Sequence, residues 1–187
     1  MFQLNEIDQQ LLLKIARQTV FAYLNGSSHQ PPEIVNGILS EPHGVFVSIH
    51  RSSSLRGCIG NIHPVSPLYR TTSDCAVSAA VGDPRFAPLT LRELTDVDFE
   101  ISVLSPLERV EDINAVQIGR DGVLVTKKAA SGLLLPQVAA SFGWNREQFL
   151  SEACIKAGLR REEWKDGAMI YRFAAHVFQE EAPTRRT

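Results

Sequence analysis

The chain has 187 residues, of which 44% are hydrophobic and 21% are charged, and this composition predicts one soluble globular domain with a buried core. The formal net charge of −2 at pH 7 provides no broad positive field for phosphate groups, which disfavours a nucleic-acid-binding protein. An odd count of three cysteines, with no membrane-length apolar run and no signal peptide, predicts a cytoplasmic protein without a disulfide framework.

The N-terminal segment predicts a capped amphipathic helix. Asn5 precedes a helical apolar series over residues 7–22, and Gly26 follows its end. The next segment, 27–41, is polar and contains prolines. It predicts a loop around a short helix over residues 32–39.

A β-hairpin is predicted next. Apolar and polar residues alternate over 44–50, and the polar tip 51–54 returns the chain into a second apolar strand over 55–60. The register that buries one face pairs Val47 with Ile59, Ser48 with Cys58, Ile49 with Gly57, and His50 with Arg56. In this register the polar side chains form a single patch.

The rest of the chain mixes strands and helices. The pattern first predicts a helix that Ser66 caps with Pro67 at its first position, followed by a turn over 83–86, a strand over 96–104 and an irregular segment over 106–119. It then predicts a turn at Asp121-Gly122, strands over 123–127 and 132–135, and a helix start at Gln137. A helix capped by Asn145 and ended by Gly158, a strand over 169–178 and a frayed tail over 179–187 complete the chain. No regular βαβα alternation appears. The fold class is therefore predicted to be α+β.

The most reactive side chains are concentrated in Leu55–Gly60. If this segment is a strand, Arg56 and Cys58 share one face, and a fixed positive charge beside a thiol favours the nucleophilic thiolate. Glycines on both sides of Cys58 let a ligand approach the backbone closely. The alternative is a tightly packed strand in which Cys58 is a small apolar residue. Cys75 and Cys154 fall on the core faces of helices, and we expect both to be packing residues.

Four further residues are candidates for a site around Cys58, and a fifth lies farther along the chain. Asp83 and Arg85 form either a self-contained turn or, with Arg85 facing Cys58, part of an anion-binding site. Glu100 lies on the polar face of its strand, and if that strand lies beside the hairpin, Glu100 is a candidate acid, base or ion-pair partner. Ser48 is a candidate for ligand binding. Gln137, at a predicted helix start, is an anion-binding candidate. The spacing suggests no metal site, and it identifies no cofactor.

Several segments together resemble the AMMECR domain family, whose prokaryotic members are called AmmeMemoRadiSam system protein A. They are, in order, Gly44–Val47, Leu55–Gly60 (LRGCIG), Asp83–Phe86 (DPRF), Ile101–Pro106 (ISVLSP), Gly132–Val138 (GLLLPQV) and Lys156–Leu159. The resemblance extends from about Leu11 to Phe178. It implies a single α+β domain over residues 1–187 with two packed subdomains, and we place their boundary near 106–120. It also supports Arg56, Cys58, Asp83, Arg85 and Gln137 as candidate site residues.

Three functions remain open. The first is an enzyme or enzyme subunit whose Cys58 attacks an electrophilic substrate or carries a group. Arg56 would lower the pKa of the thiol, and Arg85 or Gln137 would bind an anionic substrate. The resemblance implies a modification pathway shared with a Memo-like protein and a radical S-adenosylmethionine protein. The second is an adaptor that binds such a partner without chemistry. The third, a nucleic-acid or translation factor, is disfavoured by charge.

Overall fold

Helices and antiparallel strands follow one another irregularly in the computed structural model, which describes residues 4–27 and 30–180. The α+β fold class is confirmed. The strands are β1 (Val45–Arg51), β2 (Ser54–Asn61), β3 (Asp98–Leu104), β4 (Glu108–Arg109), β5 (Asp121–Lys127), β6 (Ala130–Leu134) and β7 (Met169–Gln179). The α-helices are α1 (Glu6–Leu24), α2 (Leu68–Val81), α3 (Pro136–Phe142) and α4 (Arg146–Lys156). The described residues divide into a first unit, 4–104 with 176–180, and a second unit, 105–175.

The first unit is built on strands in the order β2-β1-β3, all antiparallel. One face of these strands packs with α1 and α2 in a single apolar cluster. Its fully or nearly fully buried members include Leu12, Ile15, Val20, Val47, Ile49, Leu68, Ala76, Phe99 and Ile101. The side chains on the opposite face of β1 and β2, among them Ser48 and Cys58, do not belong to this cluster. This division follows from the two-residue period of strands.

An ion pair joins α1 to the residue that follows β7. The guanidinium of Arg17 donates to the Glu180 carboxylate, with Nε 2.6 Å from Oε1, and to the carbonyl oxygens of Leu94 and Val97. Glu180 also accepts a hydrogen bond from the Phe99 backbone N–H at 2.9 Å. These bonds connect α1, β3 and the end of β7 within the first unit.

We expect Arg17→Ala to lower the free energy of unfolding by about 2 kcal/mol, because several charge-assisted hydrogen bonds are lost together. Urea unfolding measures the effect. The matched control is Arg92→Ala, because Arg92 is exposed and lies on the same unit. An equal effect of the two substitutions would show that the Arg17 network contributes nothing to stability.

The second unit repeats the same arrangement of strands and helix. Its strand order is β6-β5-β7, with β4 also paired to β7, and α4 packs on one face with Phe149, Leu150 and Ala153 fully buried. In each unit a central strand pairs with a hairpin partner and with a later strand. Equivalent registers join Ile49 to Gly57 and Phe99 in the first unit, and Val125 to Gly132 and Ile170 in the second. Position-by-position comparison of the two units is therefore justified.

Local capping signals are confirmed. Asn5 accepts a hydrogen bond from the Asp8 N–H and caps α1, while Asn145 and Gln148 form a capping box at α4. Gly158, with φ of 74°, follows the end of α4 as predicted. Such signals act within one helical turn, which makes them readable from sequence.

Three predictions of local structure are wrong. Only a 3₁₀ turn, Ile38–Ser40, forms in the segment predicted as a short helix over 32–39, where prolines remove backbone donors. Pro67 rather than Ser66 occupies the N-cap of α2, and it makes no side-chain capping bond. Asp121 and Gly122 begin β5 instead of forming a turn.

The tail predicted over 179–187 also differs in its described part. Gln179 ends β7, and the Glu180 N–H donates to the Phe99 carbonyl oxygen at 2.9 Å. Residues 181–187 lie outside the described residues. Among the helices that are described, none combines the length and apolar character needed to cross a bilayer.

Candidate functional site

A row of three polar side chains crosses the first unit's sheet. Cys58 on β2 pairs with Ser48 on β1, as predicted, and Ser48 pairs with Glu100 on β3. The strand of Glu100 therefore does lie beside the hairpin. Ser48 is buried and its hydroxyl donates to Cys58 Sγ at 3.2 Å, while Cys58 and Glu100 are partly exposed. We call these three residues the Cys58 row.

The second unit places apolar or aromatic residues at the equivalent positions. Leu133 stands where Cys58 does, Leu124 where Ser48 does, and Tyr171 where Glu100 does. Leu124 and Leu133 are buried. The same sheet geometry is thus compatible with apolar side chains along the row, so the fold by itself does not require a thiol, a hydroxyl and a carboxylate there.

Asp83 and Arg85 bind the backbone of Cys58. The buried Asp83 carboxylate accepts a hydrogen bond from the Cys58 N–H at 2.9 Å and from Arg85 Nε and Nη2 at 2.9 and 2.7 Å. Arg85 Nη2 also lies 3.4 Å from the Cys58 carbonyl oxygen. Asp83 also accepts a hydrogen bond from the Arg85 N–H at 3.1 Å, which is the self-contained turn that the sequence allowed. Arg85 also faces Cys58, which is the arrangement expected of the alternative, an anion-binding site. The two side chains occupy the outer edge of β2 at Cys58.

The charges of this pair are strongly coupled. Hydrogen bonds from the Arg85 guanidinium hold the pKa of the Asp83 carboxyl well below its ordinary value, and the Cys58 N–H adds to the effect although burial opposes it. The same contact raises the pKa of Arg85. Arg85 is half-exposed, with 55% of its side-chain surface accessible, so part of its guanidinium faces solvent beside Cys58. A pre-oriented guanidinium of this kind suits a carboxylate or phosphate.

Arg56 has its own partners. Its Nε lies 3.2 Å from the Glu93 carboxylate, and Nη1 donates to the Ala87 carbonyl oxygen at 2.8 Å. The pKa of Glu93 is lowered, first by the Thr90 N–H and then by Arg56. The charge of Arg56 is therefore compensated by Glu93, and its observed contacts hold the segment 87–93 along β2.

The predicted pairing of His50 with Arg56 is wrong. A register shift after Ile49 places His50 opposite Leu55, so Arg56 is the extra residue of a β-bulge. His50 instead pairs with Asp98 of β3. Both residues border a cavity of about 330 Å³ beside Glu100, lined also by Ser53, Phe99, Gln179 and Glu180. The cavity lies at the Glu100 end of the Cys58 row.

The remaining candidate lies in the other unit. Gln137 is an exposed residue in the first turn of α3, so a helix does start there, and its role stays a prediction. Cys75 and Cys154 are buried free thiols in the two core clusters, as expected of packing residues. Burial raises the pKa of Cys75 to about 11 and also raises that of Cys154.

Sequence reasoning missed Glu93. The spacing Thr90-x-x-Glu93 matches a local capping pattern, and Thr90 and Glu93 do bond each other. That signal predicts a turn but not the ion pair with Arg56, which is 37 residues away in sequence. Within residues 4–27 and 30–180, no group of three or more histidine, cysteine, aspartate or glutamate residues is arranged to hold a metal ion.

Comparison with known proteins accounts for nearly the whole chain. Residues 13–178 match the model of a family described as AMMECR1. A protein of Thermofilum pendens is 45% identical, with 92% of this chain and 90% of that protein aligned. Protein PF1979 of Pyrococcus furiosus is 40% identical, with 98% and 93% aligned. The crystal structure of uncharacterized protein PH0010 from Pyrococcus horikoshii has a TM-score of 0.91 at 40% identity, covering 97% of this chain and 96% of that chain.

Proposed function

The chain belongs to the AMMECR1 family, and we propose that it is a cytoplasmic component of a modification pathway that binds a small electrophilic, anionic substrate at the Cys58 row. A Memo-like protein and a radical S-adenosylmethionine protein are its proposed partners. The resemblance seen in the sequence is the basis for the pathway and the partners. The geometry of the first unit is the basis for the site.

One observation carries the site: the polar Cys58 row occupies sheet positions that are apolar or aromatic in the second unit. Burying a hydroxyl such as that of Ser48 is unfavourable unless it is hydrogen-bonded, and here its partner is the Cys58 sulfur. A strand that only needed packing would gain stability from leucine at these positions. The presence of three polar groups in one row therefore supports a chemical role.

The row assigns a distinct task to each group. Cys58 is the nucleophile: as its sulfur bonds to an electrophilic carbon, the bond from that carbon to its leaving group breaks. The leaving group departs with the bonding electron pair, and the thiol proton passes to solvent. The Ser48 hydroxyl donates to that sulfur and stabilises its negative charge. Arg85 binds an anionic group of the substrate, and Glu100 serves as an acid, a base or an ion-pair partner at the cavity.

Arg56 receives a positioning task in this proposal. Its guanidinium bonds to Ala87 and Glu93 rather than to the thiol. Asp83 has a related task, because it binds the Cys58 N–H and orients Arg85. The Cys58 sulfur is therefore contacted by the Ser48 hydroxyl, in place of the Arg56 charge suggested by spacing alone.

Alkylation of Cys58 by iodoacetamide at neutral pH, followed by peptide mass spectrometry, tests the proposal. We expect Cys58 to react well before the buried Cys75 and Cys154, and Ser48→Ala to slow its reaction by about tenfold, the effect of one hydrogen bond to a charged group. Arg92→Gln, at an exposed arginine of the same unit, is the matched control and leaves the initial rate nearly unchanged. Reaction of Cys58 only upon unfolding would identify it as a packing residue and reject the site.

An adaptor function is the second candidate, and an exposed apolar groove favours it. The groove, of about 450 Å³, is bordered by Phe21 and Leu91, which are 51% and 39% exposed, and by Leu94. If binding to a Memo-like partner is lost in Phe21→Ser but kept in Cys58→Ser, the adaptor function is supported. The opposite result supports the Cys58 row.

A further inference from the structure

A second cavity of the first unit, of about 340 Å³, lies beside α2 and includes none of the residues of the Cys58 row. It is lined by Gln30, Pro31, Ser66, Arg70, Ser73 and Asp74. Its lining therefore contains one cationic side chain, one carboxylate, two hydroxyls and an amide. A cavity at this lower end of the usual range accepts a small metabolite rather than a nucleotide cofactor.

Arg70 is held in a fixed orientation by the residue before it. Its Nε donates to the Tyr69 hydroxyl at 2.9 Å, and its guanidinium carbon lies 5.6 Å from the centre of the Tyr69 ring. Tyr69 itself is only 2% exposed, so packing holds the ring and hydroxyl to which the exposed Arg70 side chain is bonded. Within the described part of the chain, Nη1 and Nη2 of Arg70 have no hydrogen-bond partner. The free edge of the guanidinium is thus available to a ligand.

Asp74 is the natural partner of Arg70 but is not paired with it. The two residues are four apart on α2, a spacing that places their side chains on the same face of the helix. Nevertheless, no ion pair within 4.0 Å joins Asp74 to Arg70 or to any other described residue. Tyr69 retains the guanidinium, so opposite charges that attract each other at a distance face one cavity without forming an ion pair.

We propose that this cavity binds a free α-amino acid in its zwitterionic form, with the carboxylate on Arg70 and the ammonium group on Asp74. A simple anion would be attracted by Arg70 and repelled by Asp74. A simple cation would be attracted by Asp74 and repelled by Arg70. A zwitterion satisfies both charges at once. Glu33, which also acts electrostatically on Arg70, adds negative charge that favours the ammonium group.

The test is a thermal-shift screen of the intact chain against the individual free α-amino acids, followed by calorimetric titration of those that raise Tm. At least one amino acid is expected to raise Tm in a concentration-dependent way. Arg70→Gln and Asp74→Asn are each expected to weaken its binding by about tenfold or more, as each removes a charge-assisted contact. Tyr69→Phe keeps the ring and is also expected to weaken binding, because Arg70 is then free to pair with Asp74.

The controls separate this proposal from its alternatives. Arg161→Gln changes an exposed arginine of the second unit and should leave binding unchanged, while circular dichroism verifies that each variant is folded. Inorganic phosphate is the probe for a simple anion. If phosphate binds and Asp74→Asn strengthens it, the cavity is an anion site and the proposal is wrong. Absence of a Tm response to every amino acid would also overturn it.

Discussion

Replacing Gly57 with alanine should destabilise the protein by about 3 kcal/mol or more. A methyl group at this position would lie 2.1 Å from the Ala79 carbonyl oxygen of α2 and 3.1 Å from its carbonyl carbon. Both atoms belong to the backbone, so no rotamer change relieves the clash, and β2 and α2 must separate. The cost arises from the close approach of strand and helix, because Gly57 needs no positive φ.

Urea unfolding of Gly57→Ala measures this effect. Gly132→Ala is the counterpart in the second unit, where the new methyl group would lie 2.4 Å from the Ala153 carbonyl oxygen of α4, and it should be similarly destabilising. Gly82→Ala is the milder control, because its new methyl would approach only to 3.0 Å of the Ser78 carbonyl oxygen. A loss below about 1 kcal/mol in Gly57→Ala would show that β2 moves easily and would contradict the tight packing.

Asp83→Asn should cost about 2 to 3 kcal/mol at neutral pH, since a buried acceptor of several hydrogen bonds is replaced. The substituted amide would offer one oxygen and would direct an N–H donor at groups that are themselves donors, the Cys58 N–H and the Arg85 guanidinium. Unfolding free energies of Asp83→Asn, Arg85→Gln and the double variant form a thermodynamic cycle. The half-exposed Arg85 should cost less than Asp83, and the double variant less than the sum.

The same variant has a defined pH dependence. The pKa of Asp83 is lower in the folded protein than in the unfolded chain, so the unfolded state binds more protons in acid. The stabilisation from Asp83 is therefore fully present above the unfolded pKa of about 4 and is lost as the pH falls below it. The difference in stability between the wild type and Asp83→Asn should shrink on acidification. A difference that stays constant in acid would show that Asp83 is not the coupled group.

Predictions that depend on neighbouring residues in sequence succeeded best. The caps at Asn5 and Asn145 act within a single helical turn, and both are present. The wrong predictions at Ser66 and at Asp121-Gly122 have a common cause. Residues that are common in caps and turns also fit other backbone conformations, and a contact with a residue distant in sequence decides which conformation forms. Asp121, for example, joins β5 and pairs with Ala174 of β7.

The candidate site was predicted only in part. Alternation of polar and apolar residues placed Ser48 opposite Cys58, because shifting the strands by one residue would expose the apolar face. The alternation could not reveal the β-bulge that separates His50 from Arg56. A bulge adds one residue to one strand of a pair, and the types of residue in the strand do not show where that extra residue lies. The partner of Arg56 was also hidden, because Glu93 approaches it only through the path of the segment after α2.

The sequence by itself determined the family, the α+β class, the capped helices and the facing of Ser48 and Cys58, because these depend on local hydrogen bonding and on the two-residue period of strands. Only the tertiary structure decided which cation accompanies Cys58. Arg85 and Asp83, distant in sequence, reach the open edge of β2, whereas Arg56, two residues away, pairs with Glu93. The physical reason is that charges pair with whatever the folded chain brings within hydrogen-bonding distance, and sequence proximity does not fix that distance.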